Sequence, residues 1–435
     1  MIFINICIIM NRTLPFYRLN DLGGIYMLQR FTLTKIEVTL LMLLLSFPII
    51  EFIFREWIPF GGSLWDKAVL FALFLIAFPR KYETNRLETD LTKQFSAFIV
   101  LGLLLLVYYL PYFSVSFEGF RSIYQYMIAF FIGYYFFRHL EDWQQTLRVF
   151  LFVGAAIALY GLAQPFLGVQ MPDSWVDSGE ALRFRAFSIV QSPNVLGGYM
   201  AFLIPISMSL FFAEKKKLYK YMWIIISLIL LACLFATLSR GAWIAFALAM
   251  VVFATLIERR ALIFVLIVGL LVVLFVPTVG DRMTYMFSET YMEKSASDGR
   301  VARWTGALDQ AINEPFFGKG LGQYGGAVAQ RNFGISYVDN YYAKTIAELG
   351  FVGLTLFVWL LLSILYQAYK RMADIKDNRT RWLMRGVFAG LSAVILHNGV
   401  ENIFEVPFMA VYFWFLAGTL LAAPLMVQQK EVNNK

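Results

Sequence analysis

The chain has 435 residues, 60% of them hydrophobic and only 15% charged, with a formal net charge of +8 and a mean hydropathy of +0.65. A soluble domain carries about a quarter charged residues, so that class is excluded, and in so apolar a chain the positive balance speaks of membrane topology rather than of nucleic acid. Two cysteines, Cys7 and Cys233, make neither a disulfide framework nor a zinc site.

In chain order, "MIFINICIIM" comes first, without a basic leader or a small-residue cleavage site. It is therefore not read as a cleaved signal peptide, and Met27 is an alternative start. Apolar runs near the ~20 residues that cross a bilayer core then recur along the chain. They predict twelve spans, roughly 34–54, 64–79, 95–113, 121–137, 147–168, 195–213, 219–237, 241–257, 261–279, 343–369, 384–402 and 407–427. The expected fold class is an all-α polytopic membrane protein. Residues 1–33 form a cytoplasmic N-terminal segment, 34–279 hold spans 1–9, and 280–342 form a large, partly helical external loop. Residues 343–427 hold spans 10–12, and 428–435 are a cytoplasmic tail.

The connections support that order. "PRKYETNRLETDLTK", "RHLEDWQQTLR", "EKKKLYK", "ERR" and "KRMADIKDNRTRWLMR" all fall on one side and hold about half of the 37 Lys and Arg residues. The positive-inside rule puts these loops and both termini in the cytoplasm. Segments 169–194 and 280–342 are then external, and they hold most of the polar material that needs explaining.

In the external loop, "SDGRVARWTGALDQAINEP" reads as a helix capped by Ser297 or Asp298 and stopped by Pro315. Val301, Trp304, Leu308 and Ala311 make its apolar face, and Arg300 and Arg303 share another. Such a helix either presents two guanidiniums to an anion or lies on the bilayer with its arginines among headgroups. Arg240, in the short turn "LSRGAW", must sit at the outer membrane face, where an ionisable group marks a functional site or snorkels to the headgroups. Arg183 and Arg185 add positive charge on the same side, and guanidinium suits bidentate phosphate binding.

Gly320, Gly322 and Gly325 spell G-x-G-x-x-G, but a dinucleotide fingerprint needs a strand before it and a helix after it. Here a turn that brings the loop back over the bundle is expected. In "HNGVEN", His397 and Glu401 are four apart and expected on one face of span 11, with Asn398 and Asn402 beside them. That face is either a packing network or part of a substrate pocket. "YVDNYYAKTIAELGFVG" places Asp339 and Asn340 where the loop returns to the membrane. Asp339 reads as an N-cap or a reactive carboxylate, and Lys344 and Glu348, four apart, as an ion pair inside span 10.

Four stretches in order, "RAFSIVQSPNVLGGYMAFLIPI", "LSRGAWIAF", "GRVARWTGALDQAINEPFFGKGLGQYGG" and "DNYYAKTIAELGFVGLTLF", resemble the O-antigen ligase and O-antigen polymerase superfamily of bacterial surface-polysaccharide synthesis. The resemblance covers about residues 180–425. It implies a GT-C-like glycosyltransferase in the bacterial cytoplasmic (inner) membrane, with its site facing outward, no metal and no nucleotide cofactor. The donor would be an oligosaccharide on undecaprenyl pyrophosphate, and the acceptor a glycan or a lipid-linked glycan. Membrane lipids and chain-length regulators or other polysaccharide-assembly proteins are the implied partners.

By the same resemblance, Arg240 and Arg300 hold the pyrophosphate and Arg185 falls where a basic residue often precedes the Pro-Asn pair; Arg303, on the face it shares with Arg300, is a further candidate for the pyrophosphate. Asn194 follows Pro193 in the family's Pro-Asn pair; from the reading of the residues themselves, Asn194, Glu348, His397 and Glu401 are the candidates for a substrate pocket. Asp339-Asn340 stands where the ligases carry His-Asn, so Asp339 either accepts the acceptor's proton or orients the hydroxyl. That substitution favours a polymerase over a ligase. A transporter of lipid-linked oligosaccharide is the reading from another class, and it would show polar groups in both membrane halves and an inverted repeat.

Overall fold

The computed structural model describes residues 32–58, 64–84, 86, 89, 91–171, 184–297 and 299–433. Cys7, Met27, Arg183 and Asp298 lie outside the described residues.

The described residues are helical or irregular, with no strand among them. The helices are α1 (Lys35–Leu45), α2 (Phe47–Trp57), α3 (Trp65–Ala77), α4 (Arg80–Glu83), α5 (Thr92–Tyr108), α6 (Phe113–Tyr124) and α7 (Ile128–Phe136). Next come α8 (Leu140–Ala163), α9 (Pro193–Ala213), α10 (Lys217–Ala236), α11 (Arg240–Thr255) and α12 (Arg259–Phe275). The loop after α12 is mostly helical itself: α13 (Pro277–Tyr285), α14 (Glu289–Ser297), α15 (Arg300–Asn313) and α16 (Ala327–Phe333). The chain ends with α17 (Tyr341–Ala373), α18 (Asn378–His397) and α19 (Pro407–Asn433).

Local chemistry sets many of the starts. Thr34 and Glu37 form a reciprocal capping box at α1. Ser192, Ser239, Asn340 and Asp377 each accept a backbone N–H in the first turns of α9, α11, α17 and α18.

Five helices, α8, α9, α10, α17 and α19, are long and apolar enough to cross a membrane. The number rises to eight if each bent pair is one span, as with α1–α2, bent by 74°, and α5 with residues 110–136, bent by 89°. The protein is thus a multi-pass membrane protein whose apolar stretches are partly broken helices. Pro48 in the first turn of α2 and Pro111 after α5 mark two of the breaks, because a proline starts a helix more easily than it continues one.

The core lies where α9 packs on α18 and where α7 packs on α19. Gly390 and Gly386 of α18 face the Phe202 and Pro205 carbonyls of α9, and a Cβ on either would stand 2.6 or 2.8 Å from those oxygens. Without a hydrophobic force between helices in lipid, such small residues allow the close backbone approach that gives packing energy. By contrast, α12 buries none of its residues.

The two ends of the bundle differ in kind. At one end the basic connections meet: Arg148 with Glu214, Lys430 with Glu141, Arg138 with Glu83, and Arg86 with Gln429. At the other end α9, α11 and α17 begin, α18 finishes, and the loop helices pack down.

Candidate active site

Six of the sequence candidates form one connected polar chain at that second end. Arg185 donates from Nη2 to Asn194 Oδ1 at 3.0 Å, and from Nε to the Thr237 carbonyl at 2.9 Å. Asn194, in the first turn of α9, donates from Nδ2 to Glu401 Oε2 at 2.8 Å. Glu401 Oε2 lies 3.7 Å from Arg300 Nη2, and Arg300 Nε lies 3.8 Å from Asp339 Oδ2. Arg303 Nη1 closes the chain on Asp339 Oδ2 at 2.9 Å and also donates to the Tyr337 carbonyl.

The backbone of Asp339 is left-handed, with φ 52°. For a residue other than glycine this conformation is uncommon and costs free energy, and it clusters at functional sites. The next residue explains how it is held. Asn340, not Asp339, caps α17, and its Oδ1 accepts from the Tyr342 and Ala343 amides, both at 3.0 Å. The capping alternative for Asp339 is thereby corrected: its carboxylate is turned to the two arginines.

Arg300 and Arg303 reach that carboxylate because α15 is docked against the start of α17. Trp304 and the buried Ala307 pack with Val338, Ala343 and Ala347 on the start of α17. The expected face holds at Trp304 and Ala311, while Leu308 is exposed. Gly299 stands at the N-cap of α15, and Ser297 instead ends α14, which corrects the capping expectation. Ser295 accepts the Val301 amide in its place.

Arg240 begins α11. Its guanidinium lies 4.8 Å from the Tyr291 ring centroid and 5.7 Å from that of Tyr285, both brought by the loop helices. Such aromatic faces favour a cation. Neither tyrosine was foreseen, since nothing in an isolated Tyr at a loop position distinguishes it. The Cβ that Gly241 lacks would stand 2.7 Å from Val400 Cγ2 and 3.5 Å from His397 Nε2, so α11 starts close against the end of α18.

Span 11 also needs correction. α18 ends at His397, Asn398 follows as its C-cap, and residues 399–402 turn away. His397 and Glu401 therefore do not share a helix face. His397 is buried against Gly198 and Gly241, whereas Glu401 swings into the arginine chain. Asn398 instead serves the backbone, its carbonyl accepting from Tyr341 N at 2.8 Å and its Oδ1 from Phe404 N. Burial and the neighbouring Asp339 carboxylate raise the proton affinity of Glu401 above the ordinary carboxylate range, against the pull of Arg300 and Asn194.

Lys344 and Glu348 do pair, at 2.7 Å, and both are buried under the glycine-rich loop. Glu405, unforeseen, is a third member at 3.3 Å from Lys344. Its signal was an acid in a bend between two spans. Glu348 also accepts the Tyr324 amide, and Glu405 the Ala327 amide, so the triad pins the loop to α17. The structure therefore brings Glu348 to the loop's underside and not into contact with Arg300 or Asp339.

The glycine motif folds as that loop. The Lys319 and Gly320 amides donate to the Ala347 and Glu348 carbonyls, and a Cβ at Gly326 would collide with Glu405 and Lys344. Among the described residues no group of three or more His, Cys, Asp or Glu side chains is gathered as a metal centre would require.

The first turns of α9, α11, α15 and α17 all border the polar chain. Each helix start carries partial positive charge from its unpaired amides, which adds to four guanidiniums. The arrangement suits an anionic group with several oxygens, facing two carboxylates that can take or steer a proton.

No curated protein matches the chain. Residues 225–358 match a family model described as O-Antigen ligase. That segment contains Arg240, Arg300, Arg303, Asp339, Asn340 and Glu348, while Arg185, Asn194, His397 and Glu401 reach the same place from outside it. The match covers about a third of the chain and supports its resemblance to the O-antigen ligase and O-antigen polymerase superfamily.

Proposed function

We propose that the protein is a membrane glycosyltransferase that polymerises a surface glycan from an undecaprenyl-pyrophosphate-linked donor. The observation that carries this is the unbroken chain Arg185–Asn194–Glu401–Arg300–Asp339–Arg303 at the bundle end opposite the basic connections. With those connections in the cytoplasm, the site opens on the outer face of the bacterial cytoplasmic membrane and both termini lie inside. In this reading the twelve apolar segments form a GT-C-like bundle.

The donor pyrophosphate takes Arg240, Arg300, Arg303 and Arg185 as partners. The acceptor hydroxyl attacks the anomeric carbon, and the bond from that carbon to the pyrophosphate oxygen breaks with its electron pair leaving on the lipid pyrophosphate. Fixed guanidiniums stabilise that growing charge, where each preorganised donor is worth about 10²–10³ in rate. They supply the charge that a metal would otherwise bring.

The hydroxyl proton goes to a carboxylate. Pyrophosphate draws Arg300 and Arg303 off Asp339 and so frees it to meet the hydroxyl, with Glu401 one guanidinium away as a second proton acceptor. Asn340 acts as a positioning residue by fixing the backbone at Asp339. His397, Asn194 and Glu348 support the pocket's walls.

A second reading, a ligase that moves the glycan to lipid A core or another acceptor, is favoured by the description of the matched family. The purified protein, given undecaprenyl-pyrophosphate oligosaccharide, is expected to release undecaprenyl pyrophosphate and to form longer glycans with and without chelator. Transfer to lipid A core without chain growth would select the ligase. Transport of the donor with no glycosidic bond formed would overturn both. Arrest by the chelator would overturn the metal-free mechanism.

A further inference from the structure

At the end of the bundle opposite the arginine chain lies a cavity of about 750 Å³ between the starts of α8, α10 and α18 and the finish of α9. It is separated from Asn194 by the length of α9, 21 residues or about 30 Å at 1.5 Å per residue. Arg148, Lys215, Lys216, Lys220 and Arg379 line it.

Its two carboxylates, Glu214 and Asp377, are already engaged. Glu214 pairs with Arg148 at 3.6 Å. Asp377 caps α18 by accepting the Thr380 amide at 2.9 Å and the Thr380 hydroxyl at 2.5 Å. Five cations thus face two committed acids.

The remaining polar groups ask for an acceptor. Trp223 is 1% exposed, lines the cavity, and its indole N–H has no hydrogen-bond partner. The buried Arg379 Nε–H has none either. Buried donors without partners carry a desolvation cost of about 1–3 kcal/mol, so both point to a bound group rich in oxygen. α10 begins at Lys217 with no side chain capping its free amides, which adds partial positive charge. One wall is apolar, formed by Phe212 stacked on Trp382 at 4.6 Å, and Phe212 is 40% exposed. A headgroup can enter there while its chain stays in the membrane.

We propose that this cavity binds a phosphate-bearing anion, presented by a membrane lipid headgroup or by a free phosphorylated compound. The apolar wall makes the lipid the better fit, and the shared chemistry is phosphate held by Arg148, Arg379 and the lysines of the α9–α10 connection.

The full chain in neutral detergent is titrated with inorganic phosphate in one arm and with phosphatidylglycerol in mixed micelles in the other, phosphatidylcholine being the uncharged control. Thermal unfolding, followed by tryptophan fluorescence, reads the binding. Phosphatidylglycerol is expected to raise Tm, and Lys216→Glu with Lys220→Glu to weaken that effect at least tenfold. Arg300→Ala, at the other site, and Arg259→Glu with Arg260→Glu, on the same end, are expected to leave it unchanged. Stabilisation by phosphate alone assigns the site to a free phosphorylated compound. No stabilisation by either probe, or equal loss in the Arg259 and Arg260 variant, overturns the proposal.

Discussion

Arg300 touches both carboxylates of the site, at 3.8 Å from Asp339 and 3.7 Å from Glu401. A planar fork can serve two acceptors in different directions, whereas an ammonium is a point charge. Arg300→Lys is therefore expected to lower turnover by about 10²-fold, close to the loss in Arg300→Ala, since the missing donor is one aimed at developing charge. Retention of most activity by the lysine variant would show that net charge alone suffices. Glu401 gives a pH prediction. The proton acceptor must be ionised, and burial beside Asp339 raises the pH at which Glu401 ionises. The rate should thus fall on acidification at a higher pH than an ordinary carboxylate would dictate, and Glu401→Gln should move that limb. An unchanged profile in Glu401→Gln would remove Glu401 from the proton path. At this scale Asp339 was legible from its neighbour Asn340 and the apolar run that follows. Its left-handed backbone was not, because aspartate, though enriched in that conformation, adopts it only in a minority of cases. The partner of Glu401 was equally hidden, since helical spacing assigned it to His397 and α18 stops one turn short.

Among elements, the loop between α12 and α17 depends on one buried triad. Lys344 is 2% exposed, and its ammonium stands between Glu348 and Glu405. Removing one partner of a buried ion pair leaves uncompensated charge, at a cost of about 3–5 kcal/mol. Lys344→Met is expected to lower stability by that order, whereas Lys344→Met with Glu348→Leu and Glu405→Gln should recover much of it. Thermal unfolding of the detergent-solubilised protein checks the pair of results, and equal losses in the single and triple variants would mean that the triad does not hold the loop. Spacing of four residues made the Lys344–Glu348 pair legible in advance. Glu405 lies far along the chain, and only the fold brings it in. The same limit applied to the spans. Hydropathy counts apolar residues and is blind to a 74° bend, so α1–α2 was read as one unbroken span, while 95–113 and 121–137, read as two spans, lie in a pair bent by 89°.

For the whole molecule, the decisive asymmetry is that the basic connections meet at one end and the arginine chain at the other. Loop composition already divided the connections in this way, because Lys and Arg in short loops record which side is not translocated. What composition could not supply was the convergence of residues 185, 194, 300, 303, 339 and 401, which come from distant parts of the chain and meet only when α9, α15, α17 and the turn after α18 pack. The orientation has a direct test. In a background with Cys7→Ser and Cys233→Ser, a single cysteine is placed at exposed Asn332 in α16 or at exposed Lys376 before α18. Asn332 belongs to the loop helices that pack over the arginine end, and Lys376 to the basic connection between α17 and α18. A membrane-impermeant maleimide added to spheroplasts should label Asn332→Cys at once, and Lys376→Cys only after permeabilisation. The reverse pattern would put the arginine site in the cytoplasm. Since the proposed lipid-pyrophosphate donor is consumed on the outer face, that result would break the glycosyl-transfer assignment as well as the topology, even if every contact in the site stood.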